Sequence, residues 1–487
     1  MLNILIHKIP PTGIFSSGII VLVIIMDLRK IRKRGIFRYR EAFLIIWIIF
    51  NSSEILLQAQ NSRTPSTDSL TIADCIRYAM HNQPLVKQLR LDEDITRQNI
   101  RIALADWLPQ VNSTAGLSHY LKQPVFLFPD ISNPAGPKIL IPNGVLNNSN
   151  ISFSATWNIL DNDVLAAGRS AGTYRTQSAE TTKSALISLV VAINKAFYDV
   201  LLSREQINLI DEEIGRLSGS LKDAYAHYQN GTNDMIDYKR ATIALNNATA
   251  QKKSAAESVK VKTAYLKQLM GYPGQDPLLL NSRIKSMEQD VLLDTLQILD
   301  VRERIEYQLL LTNIKLQKLR SDYYRLSFLP SLSAFVNYNY IYQNDAFSEL
   351  YKRAYPNSTA GLTLSFPIFQ GTKRVQNIRK SDMEYTRLAL DTLNARNEMN
   401  SEYVGSIASY KSNLATYMET RENADIAREV YNIVKLQYNQ GVKTYLEVIV
   451  SETDLMSARI NNLNALFMLM FSKLDVQRAL GQISVNY

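Results

Sequence analysis

The sequence predicts a mainly α chain with transmembrane β, built as two duplicated half-units. Three observations carry this: a repeat at an offset of 210 residues, long apolar columns with a seven-residue period, and short strictly alternating segments behind a basic and apolar leader. Tyr228-Gln229-Asn230-Gly231 is answered by Tyr438-Asn439-Gln440-Gly441, and the same offset pairs Asp237 with Glu447, Leu245 with Leu455, Ala248 with Ala458 and Gly271 with Gly481. A period this long is too great for a solenoid unit and marks a duplicated half-protein.

The leader spans residues 1–59, which hold eight of the basic and three of the acidic groups, so the net charge of +9 falls to +4 on the rest of the chain. The run Arg29-Lys30-Ile31-Arg32-Lys33-Arg34 precedes the apolar stretch Ala42 to Phe50, and Ala59 offers a small residue for cleavage. That order is an export signal. Met26 directly precedes the basic run and is the expected translation start. The charge therefore belongs to targeting, and no nucleic-acid partner is expected.

Four segments follow, with boundaries at 1–59 (signal), 60–271 (first repeat), 272–299 (an inter-repeat segment) and 300–487 (second repeat). Each half reads as a helix, a Leu-Pro break, two strands around a loop, a very long helix, a Gly turn and a shorter returning helix. The first helix opens on the capping pattern Thr71-Ile72-Ala73-Asp74 and is expected to run to Trp107 before Leu108-Pro109. Its counterpart starts near Asp300 and ends at Leu329-Pro330. After each proline the period switches to two: Val111, Ser113, Ala115 and Leu117 alternate with polar or small residues, as do Leu332, Ala334, Val336, Tyr338 and Tyr340. The return strands contain Phe153, Ala155 and Trp157 in one half and Leu362, Leu364 and Phe366 in the other. One apolar face ending in aromatics and one small, polar face describe a transmembrane barrel strand. The loops 121–150 and 343–357 are then the extracellular turns.

In the first long helix Leu186, Ile193, Val200, Ile207, Ile214, Leu221 and Tyr228 recur every seven residues, which imposes a left-handed supercoil. The same column in the second half reads Tyr403, Tyr410, Tyr417, Ala424, Tyr431 and Tyr438, expected to be packing except at Tyr438. Four strands per chain leave open edges that hydrocarbon does not tolerate. Three copies would close twelve strands around an open, polar lumen, so a homotrimer in outer-membrane lipid is expected.

One cysteine, Cys75, and four scattered histidines give neither a disulfide framework nor a metal cluster, and no phosphate loop or nucleophile elbow is present. No enzyme activity, catalytic residue, cofactor or metal is expected.

The duplicated helix, Leu-Pro, hairpin and long-helix plan, the Trp157-Asn158-Ile159-Leu160 and Phe366-Pro367-Ile368-Phe369 strand ends, and the Tyr-x-x-Gly turns together resemble the TolC-like outer-membrane efflux channels from about Leu70 to Ile483. The resemblance implies a trimer with a twelve-stranded β-barrel in the outer membrane of a Gram-negative bacterium and a coiled-coil helical tunnel in the periplasm. Such a channel is the exit duct of a tripartite efflux or type I secretion system, passively conducting what an inner-membrane pump and a periplasmic adaptor deliver. A periplasmic coiled-coil adaptor is the alternative, but an adaptor should carry one helical hairpin flanked by β-rich domains.

Carried onto this sequence, the resemblance places the adaptor-binding tip at Gly231, Thr232, Gly441 and Val442. Its gate falls on Tyr438 and Lys443, holding Asp237, and its acidic constriction on Glu447. Two positions depart from the family pattern: Lys443 stands where arginine is usual, losing a planar fork, and Val450 replaces a second acid. A solvated helix face would account for Asp237 and Lys443 equally well.

Overall fold

A computed structural model describes residues 69–129, 136–231, 234–281, 288 and 291–485. The expected signal segment, the expected start at Met26 and Thr232 lie outside the described residues.

The expected first helix is two. Helix α1 (Ile72–Asn82) ends at Gln83 and α2 (Pro84–Ala105) restarts with proline in its first turn, where a missing N–H costs nothing. Thr71 and Asp74 form the expected capping box of α1. Strands β1 (Gln110–His119), β2 (Val125–Phe128), β3 (Ile139–Pro142) and β4 (Asn147–Leu160) precede α3 (Asn162–Gln229) and α4 (Met235–Met270). In the second half a short 3-10 turn (Val301–Glu303) leads into α5 (Ile305–Leu326), then β5 (Ser331–Asn344), a 3-10 segment (Phe347–Lys352), β6 (Ala354–Ser365), α6 (Lys373–Asn439) and α7 (Tyr445–Ala479). At 68 and 67 residues, α3 and α6 are each about 100 Å long.

Strands β1, β4, β5 and β6 form one antiparallel sheet in that order. The register separates the faces as alternation requires. Val111, Ala155, Val336 and Ala360 share one row, and Ser113, Phe153, Tyr338 and Ser358 another, on the apolar face. Asn112, Ser154, Asn337 and Thr359, then Thr114, Ser152, Asn339 and Asn357, line the opposite face. At the helical end Trp157 Nε1 donates to the Trp107 carbonyl at 2.9 Å. Both rings are exposed there, as are Phe366, Ile368 and Phe369 of the second half, giving the aromatic border that the alternation predicts. Both outer strands, β1 and β6, are exposed and have no further strand beside them among the described residues.

The first loop departs from the expected irregular turn. It contains the two-stranded ribbon β2–β3, and β4 begins at Asn147, inside the stretch read as loop. Five prolines masked a strand signal that is apolar on both faces instead of alternating. Val125, Leu127, Leu140 and Pro142 share one side of the ribbon and Phe126, Phe128, Ile139 and Ile141 the other, all exposed.

The main core lies where α1, α3, α4 and α7 meet, around Ile76, Ile193, Phe197, Val200, Leu266, Met270 and Phe467. The heptad column of α3 is fully enclosed at Ile193 and Val200 and drifts to the surface at Tyr228. The column three residues on, Leu189, Ala196, Ile210, Leu217 and Ala224, stays buried throughout. In α6 the tyrosine column is buried from Tyr410 to Tyr438. Its hydroxyls tie down the inter-repeat segment: Tyr403 donates to the Gln297 carbonyl, Tyr410 donates to Val291 O at 3.0 Å and accepts from Leu293 N at 2.9 Å, and Tyr417 donates to Glu288 at 3.4 Å. Packing is thus joined by hydrogen bonding to one backbone segment.

The repeat also explains two glycines. Gly271 (φ 66°) and Gly481 (φ 75°) stop the returning helices in the left-handed region. Each presses on the break before an early helix of its half: a Cβ on Gly271 would lie 2.8 Å from Gln83 Cα, and one on Gly481 3.0 Å from the Glu303 carbonyl oxygen. Gly271→Ala is therefore expected to cost about 2–4 kcal/mol, from left-handed backbone strain plus a clash with main chain. Gly231→Ala, with open space around its Cβ, should cost only about 1–2 kcal/mol. Denaturant midpoints of the purified variants measure the difference.

Candidate gate at the helical tip

The Tyr-x-x-Gly segments close the long helices in the same way. Gly231 N donates to Tyr228 O at 3.0 Å with φ 66°, and Gly441 N donates to Tyr438 O at 2.9 Å with φ 75°. Val442 is exposed and its N–H donates to Gln437 O at 2.9 Å, completing the second turn. The N-caps of the returning helices stand three residues beyond each glycine, Asp234 for α4 and Thr444 for α7, and the helices start at the next residue. Asp237 and Glu447 consequently occupy the third position of their helices, where a carboxylate faces free backbone N–H groups and the positive end of the helix dipole.

Glu447 has a complete local set of partners. Its Oε2 accepts from Thr444 N at 2.9 Å and Thr444 Oγ1 at 3.0 Å, and its Oε1 accepts from Lys443 Nζ at 2.5 Å. The Lys443 hydrogen bond, then that from the Thr444 backbone, holds its carboxyl down at about 2. Within one protomer, then, the structure joins Lys443 to Glu447. Asp237 lies on the other returning helix, close enough to Tyr445 for its charge to act on that phenol.

Tyr438 is buried like the rest of its column. It meets His227 edge-on at 6.1 Å and Tyr445 at 5.7 Å, while Lys435 Nζ sits 5.7 Å from its ring centre. Ala224, Ala241, Tyr431, Val448 and Leu455 complete this small core, which joins all four tip helices. Burial, then the nearby Glu452 carboxylate, pushes the Tyr445 phenol well above its usual range.

A second feature of the tip escapes sequence reading. Down the seam between α3 of the first repeat and α7 of the second runs a ladder of polar links: Lys195–Asp475 at 2.6 Å, Gln206–Asn464 at 3.1 Å, Glu212–Arg459 at 2.5 Å and Arg216–Glu452 at 3.1 Å. Lys435 of α6 adds Asp223 of α3 at 3.3 Å. Only the Arg216–Glu452 rung is enclosed, its Glu452 side chain being 3% exposed. Arg216 also lies 6.0 Å from the Tyr431 ring centre, and Glu213 and Glu452 both line a cavity of about 360 Å³ between α3, α4 and α7. Burial raises Glu452 against the lowering effect of Arg216, and burial likewise raises Glu213. The signal in sequence was only a glutamate on the apolar face of α7, and its partner is 236 residues away. Among the described residues no group of three or more His, Cys, Asp or Glu could hold a metal.

The fold and tip define a class: a membrane β-sheet joined to long paired helices that end in two duplicated Gly turns. The model of the family described as "Outer membrane efflux protein" matches residues 75–272 and 320–482. The chain belongs to the outer membrane efflux protein family, whose members are outer-membrane channels of the TolC type. It is similar to outer membrane protein TolC of Vibrio cholerae, at 20% identity over 420 residues covering 85% of this chain and 91% of the relative. Its fold is similar to the CmeC outer membrane channel of Campylobacter jejuni (16% identity, TM-score 0.66, 85% of this chain and 87% of that one). It also resembles the open state of the MtrE outer membrane channel of Neisseria gonorrhoeae (16% identity, TM-score 0.64, 84% and 88%).

Two outcomes test the electrostatics of the tip. Arg216→Met strands Glu452 and should cost about 2–3 kcal/mol near pH 8, less than a fully enclosed pair because Arg216 is partly exposed. Because burial already raises Glu452, its protonation favours the folded state, so the penalty should shrink as pH falls, read from denaturation midpoints across pH. Glu447 has the opposite sign. Its depressed carboxyl contributes stability above its ordinary value of 4.5 that is lost as pH falls toward about 2, and Glu447→Gln should flatten that acid limb.

Proposed function

We propose that three copies of this chain close their four-stranded sheets into a twelve-stranded barrel and their long helices into a periplasmic tunnel. The assembly is the passive exit duct of a tripartite efflux or type I secretion system. The observation that carries the reading is the four-stranded sheet whose outer strands have no further neighbour among the described residues, with an apolar face and an Asn/Ser/Thr face. Outer-membrane hydrocarbon requires the open N–H and C=O groups of β1 and β6 to be paired, and the polar face suits a wet lumen. An inner-membrane pump supplies energy and selects cargo, and a periplasmic adaptor docks at the tip around Gly231, Thr232, Gly441 and Val442.

In this reading the tip is the gate. Three Glu447 carboxylates favour cations at the constriction, and Asp237, Tyr438 and Lys443 hold the returning helices inward. Lys443 is bonded to Glu447 within the protomer, so its hold on Asp237 is made or exchanged when neighbouring copies meet. Exposed links of this kind are worth about 0.2–1 kcal/mol each, weak enough for a docking adaptor to release and strong enough, three times over, to bias the closed state. That the MtrE channel, similar in fold, has a structure described as its open state supports reading this fold as one that can stand open.

Planar-bilayer conductance of the mature protein, beside the variant carrying Asp237→Ala and Lys443→Ala, tests both points. A low-conductance wild type and a larger variant are the expected result. No conductance from either, in a protein that remains soluble without detergent, would favour a periplasmic coiled-coil adaptor instead.

A further inference from the structure

The β2–β3 ribbon is a surface to which the proposed barrel and gate assign no role. It continues the β1–β4 hairpin outward: Tyr120 N still donates to Leu146 O at 2.8 Å, and Asn143 N to Pro124 O at 2.7 Å. The pairing slips by one residue between His119–Asn147 and Val125–Pro142. From the end of β1 the ribbon can reach up to about 25 Å further at 3.3 Å per residue. Both its faces are apolar and exposed, with the Phe126 and Phe128 rings edge to face at 6.2 Å. A two-stranded ribbon is only marginally stable by itself, and although this one is continuous with the β1–β4 hairpin it leaves the apolar side chains of both its faces exposed, a surface suited to being covered by a partner.

The topology restricts what that can be. β2 prolongs β1, the outer strand of the sheet, and among the described residues it pairs only with β3. Its other edge therefore faces the same way as the open edge of β1. Lipid could cover the apolar side chains and water could pair the N–H and C=O groups along that edge, but a protein segment does both at once. The assembly proposed above puts β6 of a second copy beside β1. The end of β6 that meets the top of β1 carries, with the turn before it, exposed Phe347, Tyr351 and Tyr355. That turn is itself well anchored, through fully buried Leu350, Tyr351 Oη to Ser149 Oγ at 3.3 Å, and Leu146 N to Asp345 Oδ1 at 2.9 Å. A rigid aromatic rim thus stands at one edge of the sheet and an uncovered apolar ribbon at the other, both at the extracellular end.

We propose that the ribbon is an inter-protomer clasp, lying across the segment 347–356 of the adjoining copy and tying the three chains together at the outer mouth. This rests on the trimeric barrel reading, and the test separates the two. The photoreactive substitution Phe126→p-benzoylphenylalanine keeps an aromatic at an exposed position, and irradiation of the purified protein captures whatever lies beside it. The native Cys75 is fully buried, its thiol pushed up to about 12 by that burial, so it adds no background linkage. Light scattering in detergent first counts the copies. With a trimer, the expected result is a light-dependent covalent species of two and three chains, with the joined peptide falling within 347–356, lost when the photoreactive residue is omitted. A trimer whose ribbon captures only lipid, or only the ribbon of another copy, overturns the clasp and leaves the barrel standing. A species other than a trimer overturns the assembly and the clasp with it.

Discussion

The requirement that every backbone N–H and C=O in hydrocarbon be paired governs this molecule. Four strands per chain satisfy it only between β1 and β4, β4 and β5, and β5 and β6. What remains open on β1 and β6 cannot face lipid and cannot be closed by the same chain, because a four-stranded sheet is too narrow to curl on itself. The other features follow. The proposed barrel, shared between copies, needs one apolar and one polar face on each strand, and the rows Val111–Ala155–Val336–Ala360 and Asn112–Ser154–Asn337–Thr359 provide them. A lumen wide enough to stay wet needs a wall of comparable girth below the membrane, and helices of 68 and 67 residues with seven-residue seams provide that wall.

The duplication supplies both halves of that wall but does not make them equal. Where the first repeat fills its seam with Ile193, Val200 and Leu217, the second uses Tyr410, Tyr417, Tyr431 and Tyr438. A tyrosine packs like an aliphatic residue along its ring and still carries a hydroxyl at its end. The hydroxyls of Tyr410 and Tyr417, with that of Tyr403 one heptad earlier, reach across to Glu288, Val291, Leu293 and Gln297, so the second repeat holds this stretch between the repeats against itself. At the tip the two halves diverge again: one returning helix is capped by Asp234, the other by a Thr444–Glu447 box that also holds Lys443. Polar links between α3 and α7 join the repeats along their length, with the enclosed Arg216–Glu452 pair the one nearest the helical tip. The tip is therefore a place where packing and charge both act between repeats.

Elements governed by local rules were legible. Capping at Thr71, the Leu-Pro stops, the heptads, the alternation and the Gly turns each depend on a few neighbouring residues. The places where such reading fell short have specific causes. Pro84 splits the first helix because proline is as welcome at a helix start as it is unwelcome inside one. The ribbon was hidden because its strands are apolar on both sides and set among prolines. Arg216 and Glu452 belong to different repeats, and the alternatives for Lys443 depended on which carboxylate three-dimensional packing brought nearest.

The sequence by itself thus determined the duplicated plan, the length and seam of the tunnel helices, the two-faced strands and the positions of the turns, because all of these are written in periods of two, three and a half, and single punctuating residues. Only the tertiary structure decided the strand order β1-β4-β5-β6, the buried Arg216–Glu452 link, the anchoring of the inter-repeat segment by tyrosines and the pairing of Lys443 with Glu447. Those contacts join residues through space, mostly between elements far apart along the chain. Their partners are selected by packing and by the cost of leaving a buried polar group alone, neither of which leaves a period in the sequence.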